Sequence, residues 1–350
     1  MKKVLLFVVL GCLVLPGFAK EGVHPQTSDA GRCEGRVCSV PEEHSPTGAV
    51  SVGGIASKPI VRDRGSLKVL TIGNSFSICL LKEMPNVARN LGLKLDLCSM
   101  YIGGCSLERH VRNLNAPETK PYKITWNYAS SEDGSVPFLP VLEREKNGVY
   151  KGNIPTLLSA DRWDVVTVQQ ASSQSWRAKT YEPVGTELLA AVSRLAPQAK
   201  VYVQQTWSYT PWDGRLTKWK IDQHEMYGRL ESAYDAFAKA HGLEQILMGK
   251  AVQLYRAELP VVYGERSNND VCGTDDFVEK DGAWRHKGDV CHLNPRGNYL
   301  QALVWTAKLF GADVTRVTYL PSCLTDSPDA AKLMRDIAMR VAQHPLCPCK

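Results

Sequence analysis

A serine hydroxyl becomes a nucleophile only beside a base, and that base works best when a carboxylate orients it. The 350-residue sequence carries such a set in separated pieces. Ser75 stands in Gly73-Asn74-Ser75-Phe76-Ser77, directly after a short apolar, β-branched run. Gly73 there permits a sharp turn. A serine displayed where a helix begins has backbone N–H groups near it, which favour developing negative charge. On this motif alone the residue reads more readily as a turn or N-cap serine. The motif is not a GxSxG elbow, because Ser77 occupies the place of the last glycine. Near the C-terminus stands Asp289-Val290-Cys291-His292. An aspartate three residues before a histidine can turn back and hold one ring nitrogen, leaving the other for a serine proton. Of the 8 histidines only His292 has an aspartate at that offset. The plainer alternative is a surface histidine in a turn.

An attack by serine on a carbonyl also needs donors for the oxyanion. Gly103-Gly104 follow a second apolar run, and either glycine can bring its N–H close to a reacting oxygen, although a plain turn accounts for them as well. Gln169-Gln170 follow a third run, where a side-chain amide can donate; Gln170, nearer the strand end, is the first choice and Gln169 the second. Trp207, Tyr209 and Trp212 follow a fourth run and suit either sugar rings or packing. Asp222 and Tyr227 read as structural, and His110 as the remaining histidine nearest these motifs.

The elements that must position these groups follow from periodicity. Strands are predicted over Lys68–Ile72, Lys94–Ile102, Trp163–Gln169, Lys200–Gln205 and Gln245–Met248, with a hairpin insertion starting at Tyr122–Tyr128. Helices are predicted over Met84–Leu91, Glu187–Leu195, Asp222–Ala240, Pro295–Phe310 and Ala330–Ala342. Pro85 falls in the first turn of its helix, and Asn294-Pro295 reads as an N-cap with proline at the first helical position. Strands alternating with helices imply parallel βαβ units, hence an α/β protein built as a three-layer α/β/α sandwich with a mostly parallel central sheet. Ligands in such sheets sit beyond the carboxyl ends of the strands, where Ser75, Gly103-Gly104, Gln169-Gln170, Trp207 and Tyr209 follow their strands.

Lys2 and Lys3, an apolar stretch over Leu5–Leu15 and the small residues Gly17 and Ala19 read as a secretory signal over residues 1–19, cleaved after Ala19. Cys12 after Val9-Leu10-Gly11 leaves a lipoprotein anchor open as the alternative. The chain is thus expected in the periplasm or outside the cell. Residues 20–66 read as a flexible leader, and 67–350 as one domain with insertions near 120–150 and 259–288. Of the 11 cysteines, cleavage would remove Cys12 and leave an even number, which permits disulfides in an exported chain among Cys33, Cys38, Cys272, Cys291, Cys323, Cys347 and Cys349, with no pairing set by the sequence. No CxxC pair stands in the sequence, so no metal is expected. With 42 Lys+Arg against 36 Asp+Glu the net charge is +6, without a basic stripe interleaved with aromatics, so nucleic acid is not an expected partner. No segment after the signal is apolar enough to span a membrane.

Taken in order, GNSFS, YIGGCSLERH, VVTVQQAS, QQTWSY, DQHEMY and DVCHLNPRGNYLQALVW make the sequence resemble the SGNH (GDSL-like) hydrolase superfamily, and within it the bacterial group labelled DUF4886. The resemblance covers about Leu67 to Gly311. It implies a flavodoxin-like fold and a Ser75–His292–Asp289 triad. It also implies an oxyanion hole from the N–H groups of Ser75 and Gly104 and a side-chain amide. The sequence departs from the superfamily at that amide: Gln169-Gln170 stand where a Gly-x-Asn-Asp block is usual. The implied activity is ester hydrolysis without metal or organic cofactor, on an acylated small molecule or glycan. Removal of acetyl or another small acyl group from a carbohydrate leads. A lipid esterase, an acyltransferase or a non-catalytic glycan-binding envelope protein are the alternatives.

Overall fold

A computed structural model describes residues 65–128, 143–144, 150–259, 270–274, 277–280, 283–286 and 288–343. The signal, nearly all of the leader, and Cys12, Cys33, Cys38, Cys347 and Cys349 lie outside the described residues.

The sheet is built from runs too apolar to face water on either side. β1 (Ser66–Gly73), β2 (Lys94–Tyr101), β6 (Val165–Val168), β7 (Lys200–Gln204) and β8 (Glu244–Ile246) pair in parallel in the order β2-β1-β6-β7-β8. β6 is buried at every position, as a strand covered by helices on both faces must be. Three antiparallel strands extend the β2 edge: β3 (Tyr122–Tyr128), then β5 (Tyr150–Gly152) and β4 (Glu143–Arg144). The predicted hairpin insertion is therefore a continuation of the main sheet, making it eight-stranded and mixed.

The helices alternate faces. α1 (Ser75–Ile78) and α2 (Leu80–Asn90) lead from β1, and α2 packs with α8 (Met248–Glu258), α9 (Pro295–Phe310) and α10 (Pro328–Ala342) in one layer. α3 (Leu107–Leu114), α4 (Ile154–Ala160), α5 (Val184–Leu195) and α7 (Gln223–His241) cover the other face, with α6 (Gly214–Trp219) a short turn before α7. Crossovers from β1 run one way along the sheet and those from β6 the other. The gap between these two strands is the topological switch point, where an open α/β sheet forms its crevice.

Several boundaries correct the sequence reading. The first helix begins straight after β1 rather than at Met84, so Pro85 lies inside α2 instead of in its first turn. An interior proline removes a backbone bond; here Pro85 is buried with Met84 and Val87 in a helix that packs against α9 and the sheet. α3, α4 and α6, each of eight residues or fewer, and the 11-residue α8 are helices beyond those expected from periodicity. The 259–288 stretch is not wholly irregular: β9 (Phe277–Lys280) and β10 (Ala283–His286) form a separate two-stranded antiparallel sheet. α7 behaves as expected, with Asp222 as its N-cap accepting from Glu225 N at 2.7 Å and Gly242 closing it in the left-handed region.

Candidate active site

Ser75 lies at the end of β1, on the switch-point side of the sheet. Asn74 caps the turn: its Oδ1 accepts from Phe76 N at 3.0 Å, and its Nδ2 donates to Cys105 O at 2.9 Å in the loop after β2. The Phe76 carbonyl accepts from the amides of Gln204 (2.9 Å) and Gln301 (3.0 Å), so α1 is clamped from β7 and α9. Gly73 is required for space rather than for a left-handed turn. A Cβ there would stand 2.2 Å from Ser77 Oγ. Ser75 itself is half-buried, and as the first helical residue its N–H has no intrahelical partner.

Asp289 and His292 form a built dyad. Asp289 Oδ1 accepts from Cys291 N (2.8 Å) and His292 N (2.9 Å), while Oδ2 takes His292 Nδ1. Burial pushes the Asp289 carboxyl up, but the two backbone N–H groups and the imidazole outweigh it and hold the group down at about 2. The loop is held on two sides. Residues 270–274 run beside it, with Gly273 N donating to His292 O (2.8 Å), Thr274 N to Asp289 O (2.9 Å) and Asn294 N to Val271 O (3.0 Å). From the sheet, Trp207 Nε1 donates to Cys291 O (2.8 Å) and Thr210 Oγ1 to Val290 O (2.9 Å). Arg256 and Asp270, both buried, pin the 270–274 strip to α8 with Nη2–Oδ2 at 2.9 Å.

The dyad meets the serine turn through Phe76. The His292 and Phe76 rings lie 5.4 Å apart, and Phe76 stacks on Trp207 at 4.2 Å. No hydrogen bond joins Ser75 Oγ to His292 among the described residues. Nucleophile–base contacts often tighten only around bound substrate. Cys291 is no rival nucleophile: burial, offset in part by Arg215, pushes its thiol up to about 11, so it stays protonated. Asp289, Cys291 and His292 do place O, S and N atoms within 4.8 Å of one another, the one such cluster among the described residues. A metal there would have to displace the Asp289–His292 bond and the proton on sulfur.

The oxyanion donors need correction. Gln170 is fully engaged: its Nε2 donates to Thr180 O (2.9 Å) and Oγ1 (3.2 Å), and its Oε1 accepts from Leu107 N (3.0 Å) and Ala171 N (2.8 Å). It clasps β6 to α3 and has no donor left to offer. Gln169, the second choice, reaches the serine turn instead, with Nε2 donating to Asn74 Oδ1 at 2.6 Å. Gly104 is exposed with φ +60, which a glycine adopts at little cost, whereas Gly103 has an ordinary φ.

Trp207 and Tyr209 are also corrected as sugar contacts. Both are fully buried, Trp207 beneath the His292 loop and Tyr209 with its hydroxyl 2.9 Å from Ser172 Oγ. They support the site from below. His110 is fully buried too, its Nδ1 2.8 Å from the Tyr122 hydroxyl, away from the dyad. Cys79, Cys98, Cys105, Cys272, Cys291 and Cys323 are free thiols, so the expected disulfides do not form among the described residues. No helix among the described residues is long and apolar enough to cross a membrane. The sequence reading passed over Asn74, Gln204 and Gln301, whose only signal was a polar residue inside an apolar run.

The fold has a solved counterpart. A DUF4886 family protein from Bacteroides uniformis superposes with TM-score 0.64 at 24% identity, covering 80% of this chain and 96% of that one. A candidate SGNH hydrolase from Slackia heliotrinireducens gives TM-score 0.40 at 20% identity, over 69% of this chain and 98% of that one. A GDSL-like lipase from Bacteroides thetaiotaomicron gives 0.36 at 12%, over 69% and 86%. Among curated proteins none matches the sequence. The family described as "Domain of unknown function (DUF4886)" matches residues 68–341, the whole span from β1 to the end of α10, and the chain belongs to it.

Proposed function

We propose that this chain is an exported serine hydrolase that cleaves an ester, releasing acetyl or another small acyl group from a carbohydrate. The observation that carries the reading is the Asp289–His292 dyad, oriented by three hydrogen bonds and set against the residue next to Ser75 at the switch point. In this reading Ser75 Oγ attacks the ester carbonyl while His292 Nε2 takes its proton. Asp289 keeps Nδ1 protonated and stabilises the imidazolium. The oxyanion is met by the N–H groups of Ser75 and Gly104 and by the second amide N–H of Gln169. His292 then returns the proton to the leaving alkoxide. Water next attacks the acyl-serine while His292 takes its proton; the Oγ–acyl bond breaks, His292 returns the proton to Ser75 Oγ, and the acid departs.

The charged, apolar and small-residue pattern of residues 1–19 supports export. The test is hydrolysis of p-nitrophenyl acetate, butyrate and octanoate by the purified protein beside Ser75→Ala and His292→Ala. Acetate turnover that falls by at least ~10³ in each variant is expected. Turnover equal in wild type and Ser75→Ala would remove the serine from the reaction.

A further inference from the structure

Two partly exposed tryptophans join the dyad through buried rings, and they are not the ones the sequence suggested. Trp176, in the segment after β6, and Trp219, at the end of α6, are both half-buried, and their rings lie 5.3 Å apart at 42°. Trp219 in turn lies 5.8 Å from Tyr209, Tyr209 6.5 Å from Phe76, and Phe76 5.4 Å from His292. An unbroken chain of ring contacts thus leads from the dyad out to this pair, along the carboxyl ends of β1, β6 and β7.

Arginines surround it. Arg177 lies over both tryptophans, 4.5 Å from the Trp176 ring and 5.8 Å from Trp219. Arg229 lies 5.6 Å from Trp176, and Arg215 4.0 Å from Tyr209. Two of these charges are already balanced: Arg229 pairs with Glu225, and Arg215 binds Asp213 through Nε and Nη2. Arg177 has no carboxylate partner among the described residues. Its guanidinium makes no hydrogen bond among the described residues, so its N–H donors are available to an anion.

We infer that Trp176, Trp219 and Arg177 form a subsite for a sugar ring bearing a carboxylate, a uronic acid unit, in the portion of the substrate that leaves. This rests on the ester-hydrolase reading for its role but not for its existence. A pyranose presents apolar C–H groups that pack against the part of the indoles left exposed beside Arg177, and a uronate adds the anion that a planar guanidinium binds bidentately. A neutral sugar would satisfy the indoles and leave the arginine unanswered.

The test is a titration of the full-length Ser75→Ala protein, followed by tryptophan fluorescence and calorimetry. The probes are tetragalacturonate, the neutral xylotetraose and benzoate. Tetragalacturonate is expected to bind roughly tenfold or more tightly than the other two, weakening as salt rises. Arg177→Gln should lose that roughly tenfold margin, while Arg177→Lys keeps part of it. Trp219→Ala should weaken all saccharide binding and shrink the fluorescence change. Equal affinity for tetragalacturonate and xylotetraose, or an unchanged affinity in Arg177→Gln, would overturn the assignment. Benzoate binding as tightly as tetragalacturonate would overturn the sugar class. Tight uronate binding by a wild-type protein that hydrolyses no ester would keep the subsite and remove the enzymatic reading.

Discussion

At the scale of single residues, the distribution of donors decides which side chains can serve the reaction. Both glutamines after β6 are buried, yet Gln170 is held by four hydrogen bonds and Gln169 by one that ends on the serine's own cap. Gln169→Ala is therefore expected to lower kcat for p-nitrophenyl acetate by ~10²–10³, the usual loss for one oxyanion donor. Gln170→Ala should instead lower the unfolding temperature, since it leaves buried backbone groups without partners. A kcat loss confined to Gln170→Ala would reverse the assignment. Asp289 gives a pH signature. Its folded value of about 2 lies below the ordinary 3.8, so its contribution to stability is complete above about 4 and is lost as pH falls toward 2. With the carboxylate more than a third exposed, that contribution is only ~1 kcal/mol. Asp289→Asn should cost that much in urea unfolding at pH 7 and little at pH 2.5. Its kcat should fall by ~10³–10⁴ at pH 7, because an amide can donate to Nδ1 and hold the imidazole in the wrong tautomer.

At the scale of elements, the site is a meeting of loop ends, each fixed by a different neighbour. The β1–α1 turn depends on Gly73. An alanine there would set its methyl against Ser77 Oγ, which is buried and donates to Asn74 O at 3.0 Å, so neither side can yield easily. Gly73→Ala is expected to cost ~1–3 kcal/mol and much of the activity. Adding Ser77→Ala removes the 2.2 Å contact and should restore part of both, whereas no rescue would mean that the glycine is needed for something other than space. This separates what sequence patterning can reveal from what it cannot. The parallel strands were legible because each is an apolar run ended by turn residues, and the serine and the Asp-x-x-His stood out by chemistry and position. Pro295 and Asn294 marked the start of α9 correctly. What stayed hidden depends on tertiary pairing. Gln169 and Gln170 are adjacent and identical in type, and strand alternation sends them to different partners. Trp207 and Trp219 differ only in burial, which a local pattern does not encode. The 270–274 strip carries no strand signature, since its backbone bonds go to the histidine loop rather than to a ladder.

At the scale of the whole molecule, one buried histidine couples the acid stability of the fold to the integrity of the site. His110 sits on α3 with its ring stacked on Tyr122 of β3, where the antiparallel extension joins the parallel core. Burial above all, with help from the charge of Arg109, pushes its value down to about 3. In the unfolded chain the same imidazole titrates near 6.5. Between those values the unfolded state binds a proton that the native state refuses, so stability falls as pH falls, by up to ~1.4 kcal/mol per unit. Above about 6.5 both states are neutral and the residue adds no slope. The effect reaches the site because α3 begins just beyond Gly104, and the Cys105 carbonyl in the same loop holds Asn74. Acid should therefore loosen the Gly104 and Ser75 turns while Asp289 is still ionised. Urea unfolding at pH 7, 6, 5 and 4.5 checks this against His110→Gln, which can still bond the Tyr122 hydroxyl but does not titrate. The wild-type midpoint should drop steeply across that range and the variant's should stay flatter, with the two curves diverging from pH 6.5 downward. Parallel curves would mean that His110 takes up its proton inside the folded protein, and the acid sensitivity of the edge would then belong to other groups.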